Sequence, residues 1–65
     1  MTKVSQITFF DGIYEITMAA YVLKPGKFLV YQWYEDPFDM SPVTIGGKRV
    51  LTLSEVADLF AKCEQ

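Results

Sequence analysis

Apolar and polar residues alternate along the N-terminal part of the chain, and the alternation is interrupted at Asp11-Gly12. Alternation with period two is typical of a strand that has one buried face. Asp-Gly between two such segments favours a two-residue hairpin turn of type I′. The register set by this turn puts Phe9 opposite Tyr14 and Ile7 opposite Ile16. One face of the hairpin is then apolar and the other polar, as a half-buried antiparallel sheet requires.

A second turn is indicated by Lys24-Pro25-Gly26-Lys27. It suits type II, since proline presets φ at the first central position and glycine supplies a positive φ at the second. Pairing across this turn extends the apolar face with three pairs: Leu29 opposite Val22, Tyr31 opposite Ala20 and Trp33 opposite Met18. The sequence therefore predicts a three-stranded antiparallel meander with Tyr31 and Trp33 in the core.

A helix over residues 13–24 is the alternative for the middle of this meander. Met18-Ala19-Ala20 has good helix propensity, and Asp11 is a suitable N-cap for a helix that starts there. The register of the first hairpin favours the strand, because it gathers Ile7, Phe9, Tyr14, Ile16 and Met18 on one face and Gln6, Thr8, Glu15 and Thr17 on the other.

The second half of the chain predicts a loop, a short hairpin and a helix. Residues 35–42 form the loop, and Gly46-Gly47 turns a hairpin over residues 43–51 that carries Lys48 and Arg49 at its tip. Thr52-Leu53-Ser54-Glu55 matches a capping box, which marks a helix N-terminus. Leu53, Val56, Ala57, Phe60 and Cys63 then recur at helical spacing.

The predicted fold class is α+β: a three-stranded antiparallel meander plus a short β-hairpin, packed by one C-terminal α-helix. At 65 residues, the chain is expected to form one small domain. A domain of this size buries only about 60% of the surface that its unfolded chain exposes, so its stability margin is thin. Oligomerisation is one way in which such small domains gain stability.

Composition narrows the chemistry that the chain can perform. It has no histidine and a single cysteine, Cys63, which rules out an internal disulfide, a Cys/His zinc cluster and a nucleophile paired with histidine. Glu35, Asp36 and Asp39 form the one acidic cluster, which lacks the ligand spacing and the glycine of a calcium loop. We expect no catalytic residues, no metal and no cofactor, and therefore a protein that is not an enzyme.

Location is predicted from cysteine usage and hydropathy. A lone cysteine is typical of the reducing cytoplasm. No stretch approaches the roughly 20 apolar residues that a membrane span needs. We therefore expect a cytoplasmic protein with no membrane contact.

The second face of the predicted meander is the candidate binding surface. In the predicted register it collects apolar side chains that one helix cannot cover, together with the polar Gln6, Thr8, Glu15 and Thr17. Exposed apolar areas that are rich in tyrosine and rimmed by charges are typical of protein interfaces. The candidate partner-binding residues are Phe10, Ile13, Tyr21, Leu23, Phe28, Val30 and Tyr34.

The sequence is compatible with three ways of covering this face. It can bind another protein, in which case the chain acts as a regulator, inhibitor or accessory subunit. It can form a homodimer, or the hairpin over residues 43–51 can fold across it and make it core.

Nucleic-acid binding is the alternative function. Cations and aromatic residues alternate around Lys24, Lys27, Phe28 and Tyr34, an arrangement that lets bases stack while phosphates are neutralised. The candidate nucleic-acid contacts are Lys24, Lys27, Lys48 and Arg49. The net charge of −2 weighs against this function, because phosphate binding depends on a basic surface.

Overall fold

The computed structural model describes residues 1–63 as a four-stranded antiparallel sheet followed by one helix. The strands lie side by side in chain order, and the chain is of the α+β class, as predicted. The elements are β1 Thr2–Phe10, β2 Glu15–Lys24, β3 Lys27–Glu35, β4 Pro42–Leu51 and α1 Leu53–Cys63. The prediction of a strand rather than a helix within residues 13–24 is confirmed.

The connection between β1 and β2 is longer than the two-residue turn that we predicted. Phe10 pairs with Glu15, so four residues join the strands. The Asp11 carboxylate stabilises this loop by accepting hydrogen bonds from the backbone N–H groups of Ile13, at 2.8 Å, and Tyr14, at 2.7 Å. The register differs from the prediction by two residues, and an even shift leaves every side chain on its predicted face.

The connection between β2 and β3 lies where the Pro-Gly signal places it, but the predicted register is wrong by one residue. Ala20 pairs with Val30 instead of Tyr31, because the pairing is irregular between Val22 and Lys24. A one-residue shift moves every side chain of a strand to the opposite face. Val30 is therefore 1% exposed and in the core, whereas Tyr31 and Trp33 lie on the other side of the sheet.

The predicted hairpin over residues 43–51 is also wrong, because this segment is a single strand. Ile45 pairs with Gln32 and Arg49 with Val30, so β4 carries two extra residues in its middle. Gly46 and Gly47 absorb this bulge with φ angles of 70° and 79°, which glycine adopts without steric cost. The two glycines thus bend β4 along the sheet edge instead of reversing the chain.

Helix α1 begins at the predicted capping box. The Thr52 N–H donates to the Glu55 carboxylate at 2.9 Å, and the Glu55 N–H donates to the Thr52 hydroxyl at 3.4 Å. Val56 and Phe60 face the sheet and are buried, while Leu53 is exposed although it belongs to the predicted apolar stripe.

The core lies between α1 and one face of the sheet. Its buried centre consists of five residues: Met18, Ala20, Val30, Val56 and Phe60. Phe28 and Leu51 are half-buried and pack against this centre. We call this side of the sheet the helix-covered face and the opposite side the helix-free face.

Candidate functional site

Alternation along β2 and β3 assigns each residue to one of the two faces. Residues of β2 and β3 that pair across the strands point to the same side of the sheet. Ala20 and Val30 belong to the core beneath α1. The odd-numbered residues of both strands therefore belong to the helix-free face, among them Tyr21, Tyr31 and Trp33. We call these three residues the aromatic row.

The rings of the aromatic row contact one another in sequence. The Tyr21 and Tyr31 rings are stacked, with centroids 5.7 Å apart and planes 9° apart. The Tyr31 and Trp33 rings are tilted by 33°, with centroids 5.2 Å apart. These separations lie in the range of favourable aromatic pairs. All three side chains are half-buried, so the row is ordered by its own contacts and part of each ring stays accessible.

A buried alanine lies in the sheet beneath the aromatic row. Ala19 pairs with Tyr31 and is completely buried, although no helix covers this face. Its methyl group leaves room for large neighbouring rings to cover the strand. The complete burial of Ala19 shows that its neighbours on the helix-free face cover it.

The bulge in β4 places a cation beside the row. The Lys48 ammonium lies 5.4 Å from the centroid of the Tyr31 ring, within reach of a cation–π interaction. The hydroxyl of Tyr31 donates a long hydrogen bond to that of Tyr21, at 3.5 Å, and this bond raises the pKa of Tyr31. Tyr31 is therefore neutral at physiological pH and presents its uncharged ring.

Open grooves flank the aromatic row, and three of them are lined mainly by residues of the helix-free face. One of about 380 Å³ lies between Trp33, Lys48 and Thr44 of β4. A second, of about 220 Å³, lies between Tyr21, Leu29 and Lys48. The third, of about 290 Å³, is lined by Glu15, Thr17, Trp33, Glu35 and Met40. The three rings therefore project between open grooves. Side chains of a partner can insert into these grooves.

The helix-free face has an acidic end and a basic end. Glu15 and Glu35 both line the groove beside Trp33. At the other end, Lys3 pairs with Tyr21, and its ammonium donates a hydrogen bond to the side chain of Gln6, at 2.6 Å. Lys3 and the two glutamates are separated by most of the length of the strands.

The predicted partner-binding residues divide between the two faces. Tyr21 is in the aromatic row, and Phe10 pairs with Glu15 at the acidic end of the same face. Ile13 lies in the loop between β1 and β2, and Leu23 lies at the irregular pairing that ends β2. Ile13 is 75% exposed and Leu23 is 44% exposed, so both are accessible.

The other three predicted partner-binding residues lie on the helix-covered face, because β3 is flipped relative to the prediction. Val30 is buried, and Phe28 packs against the core. The Tyr34 ring stacks on the Tyr14 ring with centroids 4.1 Å apart. Burial beside Tyr14 raises the pKa of Tyr34. The placement of Val30, Phe28 and Tyr34 on the exposed face was therefore wrong.

The four predicted nucleic-acid contacts are not gathered on one surface. Lys24 pairs with Lys27 at the turn between β2 and β3. Lys48 is on the helix-free face, whereas its neighbour Arg49 pairs with Val30 on the helix-covered face. Lys48 is thus the one member of this set that stands over the aromatic row.

The acidic loop between β3 and β4 uses its carboxylates internally. Asp36 accepts a hydrogen bond from the Phe38 N–H at 2.8 Å, and Asp39 accepts one from the Ser41 N–H at 2.9 Å. Within residues 1–63, no group of three His, Cys, Asp or Glu side chains is arranged to hold a metal ion. The same residues include no helix that is long and apolar enough to cross a membrane.

Sequence reasoning missed Tyr31 and Trp33 as surface residues. The segment Phe28–Tyr34 is apolar at all but one position, so alternation alone does not decide which side faces the core. Its one polar residue, Gln32, favours the wrong assignment.

Comparison with known protein families, curated sequences and solved structures found no match for this chain.

Proposed function

We propose that this chain is a non-enzymatic binding protein whose partner is a protein chain, held on the helix-free face. The observation that supports this function is the aromatic row of Tyr21, Tyr31 and Trp33. Its rings contact one another on the face of the sheet that α1 does not cover. Tyrosine and tryptophan are enriched at the energetic centres of protein interfaces. A partner bound there makes the chain a regulator, an inhibitor or an accessory subunit.

The surroundings of the row also suit a protein partner. Interfaces combine an apolar centre with a polar rim that carries charges. Here Leu29 adjoins the row, while Lys3, Glu15 and Glu35 lie towards the two ends of the face. Mixed charge of this kind favours a partner with charges of both signs over a uniformly charged polymer.

Capture from the host cell tests this function. The wild-type chain, Trp33→Ala and Phe38→Ala serve as baits, and bound proteins are compared by mass spectrometry. Phe38 is a matched control because it is 96% exposed and lies in the loop between β3 and β4, outside the sheet that carries the row. We expect Trp33→Ala to lose the specific partner and Phe38→Ala to keep it. Equal capture by both variants would contradict the proposal.

Single-stranded nucleic acid is the second candidate partner. The observation that favours it is the Lys48 ammonium above the Tyr31 ring, next to two further rings on which bases can stack. The net charge of −2 opposes it. Titration of fluorescent oligonucleotides at rising ionic strength decides the matter, because phosphate contacts weaken steeply with salt. An absence of binding at low salt would eliminate this candidate.

A further inference from the structure

We infer that the partner on the helix-free face is a second copy of this chain, packed face to face as a two-fold dimer. This inference rests on the proposed function and identifies the partner. In such a dimer the two-fold axis lies between the sheets and runs across the strands. Rotation about it brings the aromatic row of one copy against that of the other and exchanges the two ends of the face.

Charge complementarity supports this arrangement. Lys3 stands at the level of Tyr21 and Leu29, and Glu15 and Glu35 stand at the opposite end of the strands. From Leu29 to Glu35 the face runs for about 20 Å, at about 3.3 Å per residue. A two-fold axis across the strands lays the basic end of one copy over the acidic end of the other, twice. An axis along the strands would instead put like charges together, so electrostatics selects the first orientation.

The area of the face is sufficient for a reversible dimer. The strands contain 9 or 10 residues each. With strands about 30 Å long and about 4.8 Å apart, four of them present a footprint of about 570 Å² per copy. The two copies together would bury about 1,100 Å², above the threshold of about 1,000 Å² for a biological interface. Sheets of this kind pack face to face about 10 Å apart, the depth that two layers of side chains fill.

The stability of the chain gives a reason for association. The buried hydrophobic residues of the described chain are few: Ile16, Met18, Ala19, Ala20, Val30, Val56 and Phe60. Two of them are alanines, while Tyr21, Tyr31 and Trp33 of the helix-free face are only half-buried. Association would bury the large aromatic side chains that the single helix leaves accessible, which is how many small domains gain stability.

Sedimentation velocity over a concentration series tests the inference with purified wild-type chain. We expect a reversible monomer–dimer equilibrium. Tyr31→Ala should raise the dimer dissociation constant at least about 30-fold, the factor that corresponds to the loss of an interface hot spot. Phe38→Ala should leave the constant unchanged, and circular dichroism establishes that each variant is folded. A wild-type chain that stays monomeric throughout would overturn the inference.

A charge exchange tests the orientation and does not depend on the folding of Tyr31→Ala. Lys3 and Glu15 are both exposed, so reversal of either charge leaves the core untouched. Lys3→Glu and Glu15→Lys should each weaken the dimer about tenfold, and the double variant should recover most of that loss. A dimer that is insensitive to all three variants would overturn the inference.

The two proposals fail differently. If the wild-type chain is monomeric while Trp33→Ala still abolishes capture of a different protein, the dimer is wrong and the binding function stands. If the chain dimerises but neither Tyr31→Ala nor the charge variants affect dimerisation, the helix-free face is not the interface between copies.

Discussion

Lys48 and Arg49 are neighbours in the chain but lie on opposite faces of the sheet. The Lys48 ammonium is 5.4 Å from the centroid of the Tyr31 ring on the helix-free face. Arg49 pairs with Val30 and lines a groove on the helix side together with Glu55 and Asp58. The bulge at the two preceding glycines fixes this division, since it sets the register of the end of β4. Variants of these two adjacent cations therefore test different surfaces of the sheet.

This division yields a matched pair of variants. Lys48→Gln removes the cation beside the aromatic row, and Arg49→Gln removes one from the other side. Because the Lys48–Tyr31 contact is made within one chain, we expect Lys48→Gln to lower the free energy of unfolding by about 0.5 to 1 kcal/mol, and to weaken binding at the helix-free face through the loss of that cation. Arg49→Gln should change the dissociation constant for that binding less than Lys48→Gln does, because Arg49 reaches Tyr31 only at the hollow beside the Gly46-Gly47 bulge. A larger effect of Arg49→Gln would show that binding occurs on the helix-covered face.

The separation of the two faces also predicts which aromatic or apolar residues sustain the fold. Met18 is completely buried in the core, whereas Trp33 is only half-buried. Met18→Ala should cost about 2 to 5 kcal/mol of the free energy of unfolding. Trp33→Ala should cost only about 1 to 2 kcal/mol, mainly the contact with Tyr31 and part of the buried ring area. Urea denaturation monitored by circular dichroism measures both values.

For this pair, the informative result is the order of the two variants. If Trp33→Ala destabilises the chain as much as Met18→Ala does, the ring belongs to the core and cannot serve as an interface centre. Tyr34→Ala gives a third value, because Tyr34 stacks on Tyr14 on the helix-covered face. It should leave binding unchanged while lowering stability.

Local signals in the sequence predicted the elements that depend on a few adjacent residues. The turn at Pro25-Gly26, the strand character of β2 and the capping box at Thr52 all follow from near neighbours in the chain, and all are present. The first hairpin kept its faces despite a longer loop, because the shift was by two residues. These features needed no knowledge of distant contacts.

Register and strand continuity could not be predicted in the same way. The irregular pairing between Val22 and Lys24 shifts β3 by one residue and thereby decides which aromatic residues are exposed. No residue there marks a bulge, and the segment from Phe28 to Tyr34 is apolar on both faces except at Gln32, which favours the wrong register. Gly46-Gly47 is compatible with both a turn and a bulge, and only the pairing with β3 distinguishes them. The candidate site therefore had to come from the structure.

The bulge in β4 is open to a direct test at Gly47. Its φ of 79° is a conformation that residues with a side chain rarely adopt, although an added Cβ would meet nothing within 4 Å. Gly47→Ala should therefore cost about 1 to 2 kcal/mol from backbone strain alone. Gly47→Asn should cost less, since asparagine tolerates the left-handed conformation better than alanine does. Equal stability of wild type and Gly47→Ala in urea denaturation would contradict the observed bulge geometry.

The capping box predicts a pH dependence of stability at acidic pH. Hydrogen bonds from the Thr52 backbone N–H and hydroxyl, both 2.9 Å long, lower the pKa of Glu55, and the nearby Lys27 adds to the effect. Because the pKa is lower in the folded than in the unfolded chain, the folded state holds fewer protons. The stabilisation is therefore complete above the ordinary glutamate value of 4.5 and is lost as the pH falls through the folded pKa.

The urea midpoint, measured along a pH series, should fall more steeply for wild type than for Glu55→Gln. Asp11, whose pKa is lowered by the N–H groups of Tyr14 and Ile13, should account for part of the remaining slope. Identical slopes for wild type and Glu55→Gln would mean that the charge of Glu55 contributes nothing to the helix cap.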